Sequence, residues 1–365
     1  MNSLFETALE MQKSTMNEGL KMWSRVLTAA KVPEMASKVV VGNTPADVVH
    51  EESAFKLLRY RNPHSVDLAE PILVCYALVN RPYILDLQPD RSVVRQLLKR
   101  GFDVYMIDWT VPKDSDRGLR LYDYVCNFIK TAADVTLEKS KASKLNLLGY
   151  CMGGAMSTMF TALHPEIVRN LILLAAPIDF SGEDCLLHLW TQEKNFDVDA
   201  LIDAYGNCPA EFLQHSFQLM KPVQNYFEKY NGFFENMYDE NFLGNFFAME
   251  RWGNDNVPVA GETFREFCKC LYQRNQLVKG EFRLNGMPVD LKKITCPLLL
   301  LAATGDHLVS PSSTFGIEPH VGSSEVKKMT INAGHVGLVV SSKAHKQLWP
   351  DAAMWIADHS TVVRG

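Results

Sequence analysis

Five residues, Gly149-Tyr150-Cys151-Met152-Gly153, constrain this chain more than any other stretch of its sequence. They follow the apolar run Leu145 to Leu148, which reads as a strand, and they lead into Ala155 to Leu163, which reads as a helix. A strand that becomes a helix over so few residues leaves no room for large side chains beside the turn. Glycine meets that need, and it also tolerates a strained backbone. The central residue is thrown to the top of a sheet at a helix N-terminus, where the dipole favours a thiolate. A bare G-x-C-x-G recurs by chance. Between a strand and a helix it has the form of a nucleophile elbow, with Cys151 as the nucleophile and Gly149 and Gly153 as the elbow glycines. The other seven cysteines are scattered without C-x-x-C spacing and read as small buried hydrophobes.

The segments around the elbow repeat its strand-then-helix order. Phe55 to Tyr60 reads as a first strand, and Pro71 to Leu78 as a buried central one. Ser92 to Arg100 reads as a helix closed by Gly101, Asp103 to Asp108 as a strand, and Leu121 to Lys139 as a long amphipathic helix. Asn170 to Ala176 is a further strand. Such alternation predicts a doubly wound, mostly parallel α/β sheet. From 181 to about 289 the pattern breaks into aromatic-, Asn- and Met-rich helical sequence, read as a cap inserted above the sheet. Strands resume at Leu298 to Ala303 and Val326 to Ile331, and a last helix covers Lys343 to His359. Residues 1–45 form a separate N-terminal helical segment and 46–365 the catalytic domain. In the former, Leu9, Met16, Leu20, Trp23 and Leu27 fall on one stripe, to pack on the chain itself or on another subunit.

Composition narrows the partners. The 365 residues carry 37 basic against 42 acidic side chains, a net charge of −5, which gives no basic region for nucleic acid. Apolar runs are too short to span a bilayer, so no integral membrane segment is expected. The N-terminus has no basic stretch before an apolar run, and the dispersed cysteines fit a reduced, cytoplasmic setting.

An elbow nucleophile on this fold is followed along the chain by an acid and then a histidine. Asp306 comes just after the strand ending at Ala303, and His335 sits in the glycine-rich loop after Ile331. Asp306 would orient His335, which would take the Cys151 proton. His307 is a rival base and Asp179 a rival acid. The oxyanion hole calls for two backbone N–H groups: that of Met152, and that of Val79 after the central strand, with Asn80 as alternative. These features together predict an α/β-hydrolase fold with a helical cap.

At this level the chain resembles the catalytic subunit of the short, two-component polyhydroxyalkanoate synthases, of class III or class IV. The resemblance rests on Tyr76 to Tyr83 (YALVNRPY), Asp103 to Trp109 (DVYMIDW), Leu147 to Gly154 (LLGYCMGG) and His164 to Leu171 (HPEIVRNL). Gly261 to Phe267, Val289 to Lys292, Asp306 to Val309 and Gly334 to Gly337 complete it, spanning most of the chain in order. It implies polymerisation of (R)-3-hydroxyacyl-CoA, 3-hydroxybutyryl-CoA above all, with release of CoA and a growing chain held on Cys151 as a thioester. It also implies a part for Asp306 in activating the substrate hydroxyl, and a second synthase subunit. With these go a homodimer and attachment to the polymer granule surface in the cytoplasm. Acyl-CoA is substrate, so no cofactor and no metal are expected. Phe233, Phe234, Phe242, Phe246, Phe247 and Trp252 are candidates to line the cap, and Lys269 and Arg274 to meet CoA phosphates. A Cys-dependent hydrolase of esters, thioesters or lactones on the same fold is the alternative; it would release free acid instead of polymer.

Overall fold

The computed structural model describes residues 32–182 and 185–363, with Met16, Met22 and Thr28 besides. Eight strands form one sheet: β1 (Ala46–Glu51), β2 (Phe55–Tyr60), β3 (Ile72–Cys75), β4 (Val104–Trp109), β5 (Leu145–Tyr150), β6 (Val168–Leu174), β7 (Leu298–Ala303) and β8 (Val326–Ile331). Their spatial order is β1-β2-β4-β3-β5-β6-β7-β8. β1 runs antiparallel to β2, and β2 to β4; every later neighbour is parallel. β5 and β7 are buried along their whole length, as expected of strands covered on both faces.

One face is covered by α3 (Ile129–Ser140) and α4 (Met152–Leu163), through Ile129, Ala132, Met156, Met159 and Phe160. The other is covered by α2 (Val93–Lys99) and α11 (Trp349–Asp358), through Val94, Leu97, Trp349, Ala353 and Ile356. Ser92 starts α2 as its N-cap, its hydroxyl accepting from the Arg95 N–H at 2.9 Å. Before β1, the short helix α1 (Val32–Lys38) packs against the helix Glu240–Gly253 of the insertion described next. Between β6 and β7 the chain runs through α5 (Leu186–Thr191), α6 (Val198–Tyr205), α7 (Ala210–Leu219), α8 (Lys229–Asn236), α9 (Glu240–Gly253) and α10 (Gly261–Glu266). Arg265 ties α10 to α6 through Asp199 and Asp203, and Glu266 accepts from the Leu121 N–H at 2.8 Å, fixing the insertion to the sheet domain.

Two sequence expectations change. The sheet begins one strand earlier than Phe55, because β1 is an edge strand whose Asp47, His50 and Glu51 hide its pattern; Asp47 pairs with Arg61 at its margin. The expected strand Pro71 to Leu78 shrinks to four residues. Beyond Cys75 the Tyr76 carbonyl accepts from the Trp109 indole at 2.9 Å, so the backbone leaves the ladder and becomes a loop. The helix expected over residues 2–30, with Leu9, Leu20, Trp23 and Leu27, lies outside the described residues apart from Met16, Met22 and Thr28; Met16 is helical and exposed.

The N-terminal ends of the strands are stitched by buried asparagines. Asn170 donates to Asn146 at 2.7 Å and to the His359 carbonyl at 3.2 Å, and Asn146 donates to the Glu70 carbonyl at 3.1 Å. The last described residues are bound there too. Glu70 accepts from the Thr361 N–H at 2.7 Å, and the Val363 N–H donates to Asp67 at 2.9 Å. Cys151 follows β5 at the opposite, C-terminal ends of the strands.

Candidate active site

The strand order reverses direction at β3, since β4 lies to one side of it and β5 to the other. In open α/β sheets the crevice at such a switch point receives the ligand. Here the loop after β3 and the elbow after β5 meet in it. Gly153 lies so close to β3 that a Cβ would sit 2.1 Å from the Cys75 carbonyl oxygen and 2.7 Å from the Tyr76 carbonyl. A Cβ on Gly149 would be 2.5 Å from the Gly154 Cα. Close packing therefore dictates both glycines. Neither has a positive φ, so glycine's tolerance of strain, expected from the sequence, is not used. The strain sits on Cys151, at φ 54° and ψ −126°. This conformation costs of the order of 1–3 kcal/mol and is held by the Cys151 N–H bond to Leu174 and the Gly154 N–H bond to Cys151.

His335 lies in the loop after β8, and Asp306 in the loop after β7. The two loops run side by side, joined by the Gly305 N–H donating to Ala333 at 3.0 Å. His335 Nδ1 and Asp306 Oδ2 are 2.7 Å apart. The Asp306 side chain is fully buried, and its other oxygen accepts from the Leu308 and Val309 N–H groups at 2.8 and 3.0 Å. The His335 ring stacks on Tyr150, 5.2 Å between centroids, and the Tyr150 hydroxyl donates to the His335 carbonyl. Burial alone would lower the His335 pKa, but Asp306 and Cys151 raise it well above the ordinary imidazole value. Burial would likewise raise Asp306, yet the His335 charge and the donated hydrogen bonds hold it below the usual carboxylate value.

Tyr76, Tyr150 and Tyr272 surround this centre. Burial first pushes all three phenols well above their ordinary value; Cys151 adds to it for Tyr76 and Tyr272, and Tyr76 and then Cys151 for Tyr150. Such phenols stay protonated near neutrality, so they can donate hydrogen bonds but cannot act as bases. Burial also pushes the Cys75 and Cys268 thiols up to about 12, which leaves them chemically quiet.

A relative from Haloferax mediterranei, named poly(3-hydroxyalkanoate) polymerase subunit PhaC, is 43% identical over 97% of this chain and 72% of its own length. The chain belongs to the poly(3-hydroxyalkanoate) polymerase PhaC family. Its members are named as polymerases, so this chain is an acyltransferase enzyme. The polymerase relative from Allochromatium vinosum is 41% identical over 88% of this chain and 90% of its own. Residues 3–97 match the model of the poly-beta-hydroxybutyrate polymerase N-terminus, and residues 70–340 that of the alpha/beta hydrolase fold. Among solved structures, a putative non-heme bromoperoxidase from Mycobacterium tuberculosis is 12% identical with a TM-score of 0.51, covering 86% of this chain and all of that one. That likeness confirms the α/β-hydrolase fold expected from the elbow.

Within this polymerase fold, the rival site residues take other places. For His307, burial and then Lys221 lower the pKa against the pull of Asp306, and its Nδ1 is buried without a hydrogen bond among the described residues. Asp179 accepts from Asn275 and the Ser181 N–H at 2.8 and 2.9 Å, which commits it to a turn. Val79 and Met152 stand on either side of the crevice, and neither N–H donates to a protein acceptor among the described residues. Lys269, expected to meet CoA, is paired with Asp199 at 2.5 Å, whereas Arg274 is exposed. Phe233, Phe242, Phe246 and Phe247 pack chiefly on one another, with Phe233 and Phe246 4.7 Å apart. Trp252 instead reaches the loop after β3, its indole donating to the Arg81 carbonyl at 2.9 Å. Sequence reasoning missed that link, because nothing local joins residues 171 positions apart. Among the described residues no helix is long and apolar enough to cross a membrane.

Proposed function

We propose that this enzyme polymerises (R)-3-hydroxyacyl-CoA, with 3-hydroxybutyryl-CoA as its substrate, through an acyl thioester on Cys151, and that Cys151, His335 and Asp306 act as a triad. The observation that carries this reading is the 2.7 Å His335–Asp306 pair beside a cysteine at the elbow of a polymerase-family fold. In the first step the Cys151 proton already lies on His335 as the sulfur attacks the thioester carbonyl. The oxyanion forms toward the Val79 and Met152 N–H groups, and CoA departs as a thiol carrying the proton from His335. In the second, the 3-hydroxyl of another acyl unit attacks the Cys151 thioester, gives its proton to His335, and frees the sulfur as an ester bond forms. Thiol chemistry suits this cycle. Substrate and intermediate are both thioesters of similar energy, so loading and transfer are both accessible.

Both Asp306 oxygens are already engaged, by His335 and by two backbone N–H groups. Asp306 therefore acts on the substrate hydroxyl through His335. Segment 181–289 serves as a cap that keeps water from the thioester. Residues 46–365 make up the catalytic domain, and of the N-terminal segment 1–45 the described residues 32–45 are fastened to it, through α1 on α9 and Thr44 on Asp86. No cofactor takes part. A second synthase subunit, a homodimer and the granule surface in the cytoplasm are the expected associations.

The test is incubation with 3-hydroxybutyryl-CoA, scoring CoA, polymer and free acid separately, with mass spectrometry of Cys151 in the wild type and in Asp306→Asn. Polymer plus CoA without free acid is expected, with loading and elongation falling together in the variant. Free hydroxy acid as the main product favours a hydrolase. An acyl group that loads but stalls in Asp306→Asn gives Asp306 a direct part in elongation.

A further inference from the structure

The turn that carries the Val79 N–H is not supported by its own strand. It leaves the sheet after Cys75 and passes through Asn80 at φ 58°, a left-handed conformation that asparagine tolerates at some cost. One side of it is held by a short stretch at the end of α9. The Trp252 indole donates to the Arg81 carbonyl at 2.9 Å, and the Asn80 amide donates to the Trp252 carbonyl at 3.4 Å. One Asp255 oxygen lies 3.6 Å from the Arg81 guanidinium, and the other accepts from the Tyr83 hydroxyl at 3.1 Å. The far side of Arg81 donates to the Trp109 carbonyl at 3.4 Å, and the Trp109 indole in turn holds Tyr76.

We infer that Trp252 and Asp255 are positioning residues, which set the Val79–Asn80 turn for the developing oxyanion and so make acyl transfer depend on the helical insertion being seated. This rests on the Cys151 thioester reading proposed above. Stability does not explain the cluster. The Arg81 and Asp255 side chains are 27% and 44% exposed, and an ion pair that open to water adds little to folding. Its value lies in geometry: a displacement of about 1 Å at a reacting centre can cost roughly 100-fold in rate, and loss of one oxyanion donor about 100- to 1,000-fold. An acyl-CoA could thus be transferred only while the residues between β6 and β7 close onto the loop after β3.

The experiment compares two reactions of Cys151 in the full chain. Acylation by 3-hydroxybutyryl-CoA needs the oxyanion donors, whereas alkylation by iodoacetamide needs only the thiolate. Asp255→Ala and Trp252→Phe, the latter lacking the indole donor, should lower single-turnover acylation tenfold or more. Alkylation should stay within about twofold. Asp255→Asn, which keeps the size but not the charge, guards against a folding defect and should fall between. In the double variant Arg81→Ala/Asp255→Ala the loss should not exceed that of the larger single change, since both act through one contact. Acylation unchanged in both Asp255→Ala and Trp252→Phe overturns the inference, and so does alkylation falling in step with acylation. Cys151→Ala is the separate control. If it still releases CoA at the wild-type rate, the nucleophile reading fails, whatever Asp255 does.

Discussion

His335 gathers most of the electrostatics of the site. Its imidazole is buried against Tyr150, and its raised pKa means that the charged form, paired with Asp306, is favoured in the folded chain. The sign of the consequence for stability follows. In the unfolded chain His335 titrates near its ordinary value of about 6.5. Below that value the stabilisation is fully present, and it is lost as pH rises through the higher folded value. The stability advantage of the wild type over His335→Gln, measured by urea denaturation, should therefore be larger at pH 6 than at pH 9. An equal advantage at both would mean that His335 carries no extra proton in the folded chain. The contact between Asp306 and His335 was legible at this scale because each sits just beyond a strand expected from the sequence. Asp306, rather than Asp179, was expected as the acid from its order along the chain. What could not be read was the allocation of the Asp306 oxygens, which depends on how the loop at Leu308 and Val309 curls back on itself.

At the scale of elements, the elbow works because α4 presses its first turn against the end of β3. Gly153→Ala would drive a methyl group into the Cys75 and Tyr76 backbone, which cannot rotate away. A loss of about 3 kcal/mol is expected by thermal or urea denaturation, with the turn after β3 displaced as well. Gly232, in α8, makes the contrast. A Cβ there meets nothing within 4 Å, so Gly232→Ala should stabilise by roughly 0.5–1 kcal/mol. Gly153→Ala as mild as Gly232→Ala would show that the two elements are not in this contact. The long, fully buried strands β5 and β7 and the helices α2 and α4 were readable from apolar runs and punctuating glycines. β1 was not, since an edge strand facing water lacks the alternation that marks a half-buried one. The truncation of β3 was equally hidden. It depends on the Trp109 indole capturing a carbonyl 33 residues away in sequence.

Taken as a whole, the described part of the molecule offers an apolar surface on the insertion, where Leu219, Val223, Phe227, Tyr230 and Phe234 are exposed, Phe227 at 73%. The N-terminal stripe expected from the sequence lies outside the described residues apart from Met16. With a second subunit proposed, the purified chain alone should turn over poorly and the partner should raise its rate severalfold, followed by CoA release. Full activity of the single chain without lag would rule out an obligatory partner. Deleting residues 1–30 should weaken co-purification, and undiminished co-purification would move the contact to the aromatic face of the insertion. The stitching of Thr361 and Val363 to Glu70 and Asp67 bears on a different question, that of handling the enzyme as a material. A strand advances roughly 3.3 Å per residue, so the length of β5 separates the anchored residues from the elbow. A linker or affinity handle joined beyond residue 363 leaves from the floor of the sheet. On a bead or electrode coated through that handle, Cys151 faces the liquid, and the polyester grows away from the support.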